Sequence, residues 1–282
     1  MPEPWPGPGS TAAVFGGGGL TGLAWMTGLL LGLERADVRV RDADVLVGTS
    51  AGSVLAAQIA GSTSLEDLYG WQLEGRVEEI RGFLSPEDEA EMSQLRAEAG
   101  SMEAANRAVG HFACARGNAL RERRRRVIQD RLPVHEWPAG RDLRIVAVDA
   151  STGKRMVFTT GSGVGLVEAV EASCAAPGVW PLARVGGHSY MDGGTWSLAN
   201  VDVAVGADRV LVFAPITQGS HPGHSPAEDL AALGVQGLVV EPSPQSLAAF
   251  GTDSLDPQAR PGAAESGLAQ AAYEAGRIAS LM

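Results

Sequence analysis

The sequence predicts an α/β fold in which helices cover the faces of a mainly parallel sheet. Three observations carry this. Short apolar runs alternate with helical stretches over the first 60 residues. Two of these runs pass through small-residue loops straight into helices. The alternation resumes near residue 142, downstream of a charged, helix-prone insert.

Thr11 to Phe15 is a strand-length apolar run that ends in four glycines, Gly16 to Gly19. Leu20 to Arg35 is apolar almost all round, as in a buried helix. Asp44 to Val47 reads as a second buried strand and Val54 to Ala60 as another buried helix. Ser64 to Leu132 holds no convincing strand and predicts two to four amphipathic helices, a cap or flank, one starting at Ser85-Pro86-Glu87. Strands follow at Leu143 to Val148 and Arg155 to Thr159. A helix over Val164 to Ala175 ends at Pro177-Gly178, and further strands lie at Arg209 to Pro215 and Gly237 to Val240. Pro215 to Pro226 and Glu241 to Gly262 read as loops, and a last amphipathic helix runs from Ala263 towards Leu281. With no repeat and no long linker, residues 11–282 are expected to form one domain, after a flexible Pro/Gly-rich segment at residues 1–10.

Of 282 residues, 45% are hydrophobic and 20% charged, an ordinary globular composition. Lys plus Arg is 22 against 33 Asp plus Glu, a net charge of −11 that opposes general nucleic-acid binding. Two cysteines, Cys114 and Cys174, exclude a disulfide scaffold and lack the spacing of a metal site. The N-terminus has no signal-peptide pattern, and the longest apolar stretch, Leu20 to Leu33, is 14 residues, too short to span a bilayer. A soluble, cytoplasmic protein is expected.

Gly48-Thr49-Ser50-Ala51-Gly52 is a G-x-S-x-G pentapeptide between a strand and a helix. A nucleophilic serine at such a turn occupies strained backbone, and its flanking glycines let the turn close. The helix after it aims N–H groups at the position where an oxyanion would form. Alternatively the pentapeptide is only a small-residue turn. Gly16-Gly17-Gly18-Gly19-Leu20-Thr21-Gly22 also joins a strand to a helix and offers bare amides to an anion, a phosphate or an acyl-transfer oxyanion. Gly17-x-Gly19-x-x-Gly22 matches the dinucleotide fingerprint, but no acidic residue stands at the end of the second strand to hold a ribose.

A serine nucleophile needs a base. Met191-Asp192-Gly193-Gly194 provides a carboxylate followed by small residues, although Asp-Gly is equally a favoured hairpin turn after a strand over Ala183 to Tyr190. His111, His135, His188, His221 and His224 are the other candidates; Ser50, Asp192 and His221 or His224 would follow the order of an α/β-hydrolase triad. That fold places more strands before its nucleophile than the one preceding Asp44. Arg121 to Arg126, interrupted only by Glu122, is the one basic cluster. It reads as a solvated face paired with carboxylates or as a patch for anionic lipid head groups. Trp180 and Trp196, which bracket Asp192, fit either the core or an acyl pocket.

The glycine loop, the G-x-S-x-G elbow and the late Asp-Gly-Gly, in that order, resemble the patatin-like phospholipase family. Ala172-Ser173-Cys174-Ala175-Ala176-Pro177-Gly178, then Gly186-Gly187, Tyr190 and Asp192, look like that family's approach to its catalytic aspartate. The resemblance covers Thr11 to Ile59 and Val164 to Pro215. It implies a three-layer α/β/α fold and hydrolysis of acyl esters of lipids (phospholipid, lysophospholipid or acylglycerol). It also implies Ser50 as nucleophile, Asp192 as base, Gly17, Gly18 and Gly19 as oxyanion donors with Ala51 a further one, and no metal or other cofactor. A non-catalytic lipid- or acyl-binding protein on the same scaffold is the alternative. Thr21 stands where many members carry Arg or Lys.

Overall fold

The computed structural model of the chain describes residues 7–116, 120–218 and 224–282. In chain order, β1 (Thr11–Phe15), α1 (Gly19–Arg35), β2 (Val45–Thr49) and α2 (Ala51–Ala60) build the expected alternation. A helical flank follows: α3 (Leu65–Glu74), α4 (Pro86–Ala97), α5 (Met102–Ala115) and α6 (Arg121–Arg131). The α/β pattern resumes with β3 (Asp142–Asp149), β4 (Arg155–Phe158), α7 (Leu166–Ser173), β5 (Ala183–Val185) and β6 (His188–Asp192). It closes with β7 (Arg209–Phe213), α8 (Pro226–Leu233), β8 (Gln236–Val240), α9 (Pro244–Phe250) and α10 (Arg260–Ala279).

Among the described residues the strands form one sheet, in the order β5-β6-β3-β2-β1-β7-β8, with β4 also paired to β3. The β3-β2-β1-β7-β8 stretch is parallel, and β4, β5 and β6 are antiparallel. Parallel strands are buried on both faces, which is why they read as continuous apolar runs. Alternate residues divide between two layers. Phe15, Leu46, Ile145 and Phe213 pack under α1, α2, α7 and α10, while Val14, Val47, Val146 and Val212 pack against Ala199, Val203 and Leu230 on the opposite face. The architecture is a three-layer α/β/α sandwich.

The apolar α1 is buried because α10 lies directly on it. A Cβ on Gly28 would fall 2.0 Å from the Ala264 carbonyl oxygen, and one on Gly267 would fall 2.1 Å from that of Trp25. The two helix backbones touch, and Trp25 Nε1 donates to Gln270 Oε1 across the contact at 3.0 Å. In the flank, Ser64, Ser85 and Ser101 cap α3, α4 and α5 by accepting amides of the first turn, with Pro86 opening α4.

Three readings change. The hairpin turns at Gly186-Gly187, between β5 and β6, so Asp192 ends a strand instead of forming a hairpin turn. The stretch after Glu241 contains α9, whose start is marked by Ser243 and Pro244. A further helix, α8, begins at Pro226 behind a Ser225 capping box. Among the described residues no helix is long and apolar enough to cross a membrane.

Candidate active site

Both β2 and β6 pair with the same edge of β3, because β4 occupies the other. Parallel β2 ends with Thr49 opposite Val146, and antiparallel β6 ends with Asp192 opposite Ala147. The two strands meet head to head, so the residue after β2 faces the end of β6. Ser50 Oγ donates to Asp192 Oδ2 at 2.6 Å. Their separation of 142 positions in sequence is spanned by one strand register.

Ser50 has φ 52° and ψ −119°, a region that L-residues rarely occupy. Its flanking glycines are required by space. A Cβ on Gly48 would lie 2.5 Å from Ser53 Cα, and one on Gly52 would lie 2.0 Å from the Phe15 carbonyl oxygen. The strained peptide is held from both sides. Its N–H donates to Ser173 Oγ at 2.9 Å, and its carbonyl accepts from Ser53 Oγ at 2.6 Å and from the buried Cys174 Sγ at 3.2 Å.

Asp192 is 6% exposed. Burial pushes its carboxyl up to about 6, while hydrogen bonds from Ser50 and Gly194 and the charge of Arg124 pull the other way. Its second oxygen, Oδ1, accepts the Gly194 N–H at 2.7 Å, so Gly194 orients the carboxylate. Gly193 lies where a Cβ would approach the Val146 carbonyl oxygen to 2.4 Å. Asn200 ties this turn to the end of β2, its Nδ2 donating to Thr49 Oγ1 at 3.1 Å and to the Gly193 carbonyl at 3.2 Å.

The amides of the glycine loop can be accounted for one by one. Gly17 N–H donates to the Leu198 carbonyl at 2.8 Å, which corrects its expected place among the oxyanion donors: the amide is spent on the fold. Leu20 and Thr21 N–H both donate to the Ser254 carbonyl, at 2.8 and 3.2 Å, and Gly22 N–H donates to Gly18 within α1. Gly18 and Gly19 remain, at the very start of α1, where no intrahelical acceptor exists. Gly19 has φ 64°, and a Cβ there would lie 2.5 Å from the Ser254 carbonyl oxygen. A Cβ on Gly22 would lie 2.9 Å from Pro215 Cβ, so this glycine lets α1 approach the end of β7. Ala51, the first residue of α2, likewise has an amide with no acceptor inside its helix. Gly18, Gly19, Ser50, Ala51 and Asp192 line one cavity of about 500 Å³.

Residues 13–205 match the family described as patatin-like phospholipase, more than half of the chain. The chain belongs to the patatin-like phospholipase family. A search of curated proteins finds no match. Among solved structures, VipD from Legionella pneumophila is similar at 13% identity and a TM-score of 0.50, over 97% of this chain and 67% of that one, a likeness of fold. Human GIVD cytosolic phospholipase A2, in complex with methyl gamma-linolenyl fluorophosphonate, gives 11% identity and a TM-score of 0.45 over 96% and 58% of the two chains. The type III effector ExoU gives 16% and 0.45 over 97% and 54%. The chain thus spans little more than half the length of the latter two.

In this patatin-like chain Thr21 is fully buried and does not line the cavity. Arginines of the flank line it instead: Arg96 of α4 and Arg124 and Arg131 of α6. This breaks up the basic cluster. Arg123 and Arg126 are exposed, Arg125 pairs with Glu168 and Glu171, and Arg124 points inward under Trp180, its guanidinium carbon 4.1 Å from the ring centroid. Trp180 lines the cavity and Trp196 does not. No histidine among the described residues lines it. His188 bonds Asp149 at 3.1 Å and His224 bonds Asp229 at 3.2 Å, while His221 lies outside the described residues. No group of three or more His, Cys, Asp or Glu is arranged to hold a metal ion among the described residues. Sequence reasoning missed Ser173, Asn200 and Arg124 as parts of this site. The first lay in view inside Ala172-Ser173-Cys174, and the last was hidden in a run that reads as surface.

Proposed function

We propose that this chain hydrolyses acyl esters of lipids, with Ser50 as nucleophile, Asp192 as its base and the amides of Gly18, Gly19 and Ala51 as the oxyanion hole. The observation that carries the reading is the 2.6 Å hydrogen bond from Ser50 Oγ to a buried carboxylate, both residues lining a partly apolar cavity. Ser50 Oγ attacks the ester carbonyl carbon as its proton passes to Asp192 Oδ2. The carbonyl oxygen, now an anion, faces amides aimed by the starts of two helices. Collapse breaks the ester C–O bond, and the departing alcohol takes the proton from Asp192. Water then attacks the acyl-enzyme with Asp192 again as base, releasing the fatty acid and restoring Ser50.

A fluorophosphonate probe tests this, because only an activated serine reacts quickly. Wild type is expected to label once, at Ser50, and to hydrolyse long- and short-chain acyl esters, and Ser50→Ala to do neither. A protein that binds acyl lipids but neither labels nor turns them over would be a binding module on the same scaffold.

A further inference from the structure

The cavity around Ser50 contains more positive charge than the dyad needs. Arg131 is satisfied: its Nε donates to Glu79 Oε1 at 3.0 Å, and Arg260 shares the same carboxylate at 3.3 Å. Arg124 is different. It is 6% exposed, and its Nε and Nη1 are buried without a hydrogen-bond acceptor. Arg96, from another helix, reaches the same cavity with a buried Nε that also lacks an acceptor. The nearby carboxylates are committed, Glu79 to Arg131 and Arg260, and Asp192 to Ser50 and Gly194. A guanidinium stays charged at neutral pH, and the Trp180 ring against Arg124 gives its Nε–H and Nη1–H no acceptor, which is costly for buried donors. Desolvation lowers the Arg124 pKa to about 10, which leaves it cationic. Leu20, Ile80, Leu198, Ile216 and Leu255 also line the cavity, so it offers an apolar chain and an anion separate surfaces.

We infer that Arg124 and Arg96 form a receptor for the phosphodiester of the substrate, so that the chain selects phosphate-bearing acyl lipids over neutral acylglycerols. The inference rests on the hydrolase reading above. Two guanidinium groups from two helices match the several oxygens of a phosphate through charge-assisted, forked hydrogen bonds. The charge enters from the flank, and the position at Thr21 contributes none.

Binding is measured in the Ser50→Ala background, so turnover plays no part. The probes are an ether-linked alkyl-glycerophosphocholine, the alkylglycerol of the same chain length, glycerophosphocholine and inorganic phosphate, all below any micelle concentration. The ether phospholipid is expected to bind more tightly than the alkylglycerol. Arg124→Gln is expected to reduce that ratio of affinities about 10- to 100-fold, and Arg124→Lys to reduce it less. Arg96→Gln, at a half-buried position, is expected to reduce it about 3- to 30-fold and decides the matter if Arg124→Gln fails to fold. An unchanged ratio in folded variants overturns the inference. Inorganic phosphate binding as tightly as the ether phospholipid overturns it too, by making the site one for a free anion. In the Ser50-containing enzyme, equal loss on phospholipid and neutral ester, with the acid limb of the pH profile moved upward, overturns it by showing that Arg124 serves Asp192 alone. Absence of all ester hydrolysis by wild type instead sinks the hydrolase reading, while the binding ratio still decides the phosphate receptor.

Discussion

The amide of Ser50 donates to the hydroxyl of Ser173, 2.9 Å away and 123 residues along the chain. That bond holds the Ser50 backbone from outside its own loop, at the point where α7 ends. Ser173→Ala leaves a half-buried amide without its acceptor, at a cost of about 1–3 kcal/mol. We expect a lower Tm and a kcat reduced about 10- to 100-fold with KM little changed, because the variant loosens Oγ and not the cavity. Thermal unfolding and steady-state kinetics on a soluble ester check this. A loss in KM alone would assign Ser173 to substrate binding.

Ser50 and Asp192 are expected to act as a unit. Ser50→Ala and Asp192→Asn should each lower kcat about 10⁴–10⁶-fold, and the double variant should be little worse than the poorer single one. His188→Ala and His224→Ala should retain most of the activity, since both rings are bonded to carboxylates away from the cavity. Additive losses across the dyad would show that the two residues serve separate steps.

Asp192 also sets two opposed pH dependences. As the proposed base it must be ionised, so kcat/KM is expected to hold above about pH 6 and to fall tenfold per pH unit below it. For stability, an aspartate with an ordinary pKa of 3.8 in the unfolded chain binds its proton more tightly when folded. Its charge therefore costs stability above the folded pKa, and the cost shrinks as pH falls from 6 towards 3.8. Asp192→Asn carries no charge at any pH. It should be more stable than wild type by about 1–3 kcal/mol at pH 8, the gap roughly halving by pH 5, read by denaturant unfolding at both pH values. A gap that widens on acidification would contradict this sign.

The backbone of Ser50 makes a separate prediction. At φ 52° and ψ −119° glycine is unstrained and alanine is not. Strain of about 1–3 kcal/mol, less the roughly 0.5–1 kcal/mol that glycine costs in chain entropy, leaves Ser50→Gly about 1 kcal/mol more stable than Ser50→Ala. Equal melting temperatures for these two variants would mean that the elbow relaxes on losing its hydroxyl.

Much of this was legible because it is local. The strands at Thr11 and Asp44 announce themselves by apolar runs, and the elbow by two glycines that the packing requires. The residues alone left Asp192 as one candidate partner of Ser50 among several, and the resemblance singled it out, since nothing in their spacing reveals that β2 and β6 abut on β3. Which loop amides stay free depends on a carbonyl at Leu198 and another at Ser254, far along the chain, so Gly17 could not be told from Gly18. Arg124 was unreadable for a similar reason. On a helix with arginines around most of its circumference, only the position of Trp180 and the cavity decides which one turns inward. Helix α9 was hidden by a Ser/Pro-rich composition that serves equally for a loop and for a capped helix start.

The glycine loop leans on residues beyond the family match, through the Ser254 carbonyl and through α10 against α1. A chain ended after residue 205 would keep every motif by which this family is recognised. It would also strip β7 from β1, turning a strand buried along its whole length into an open edge with a row of unpaired amides and carbonyls, next to an apolar α1 bared along the face that α10 covers. Such an edge recruits other strands, so the shortened protein would enter aggregates with Ser50 and Asp192 both present in sequence and neither held in place.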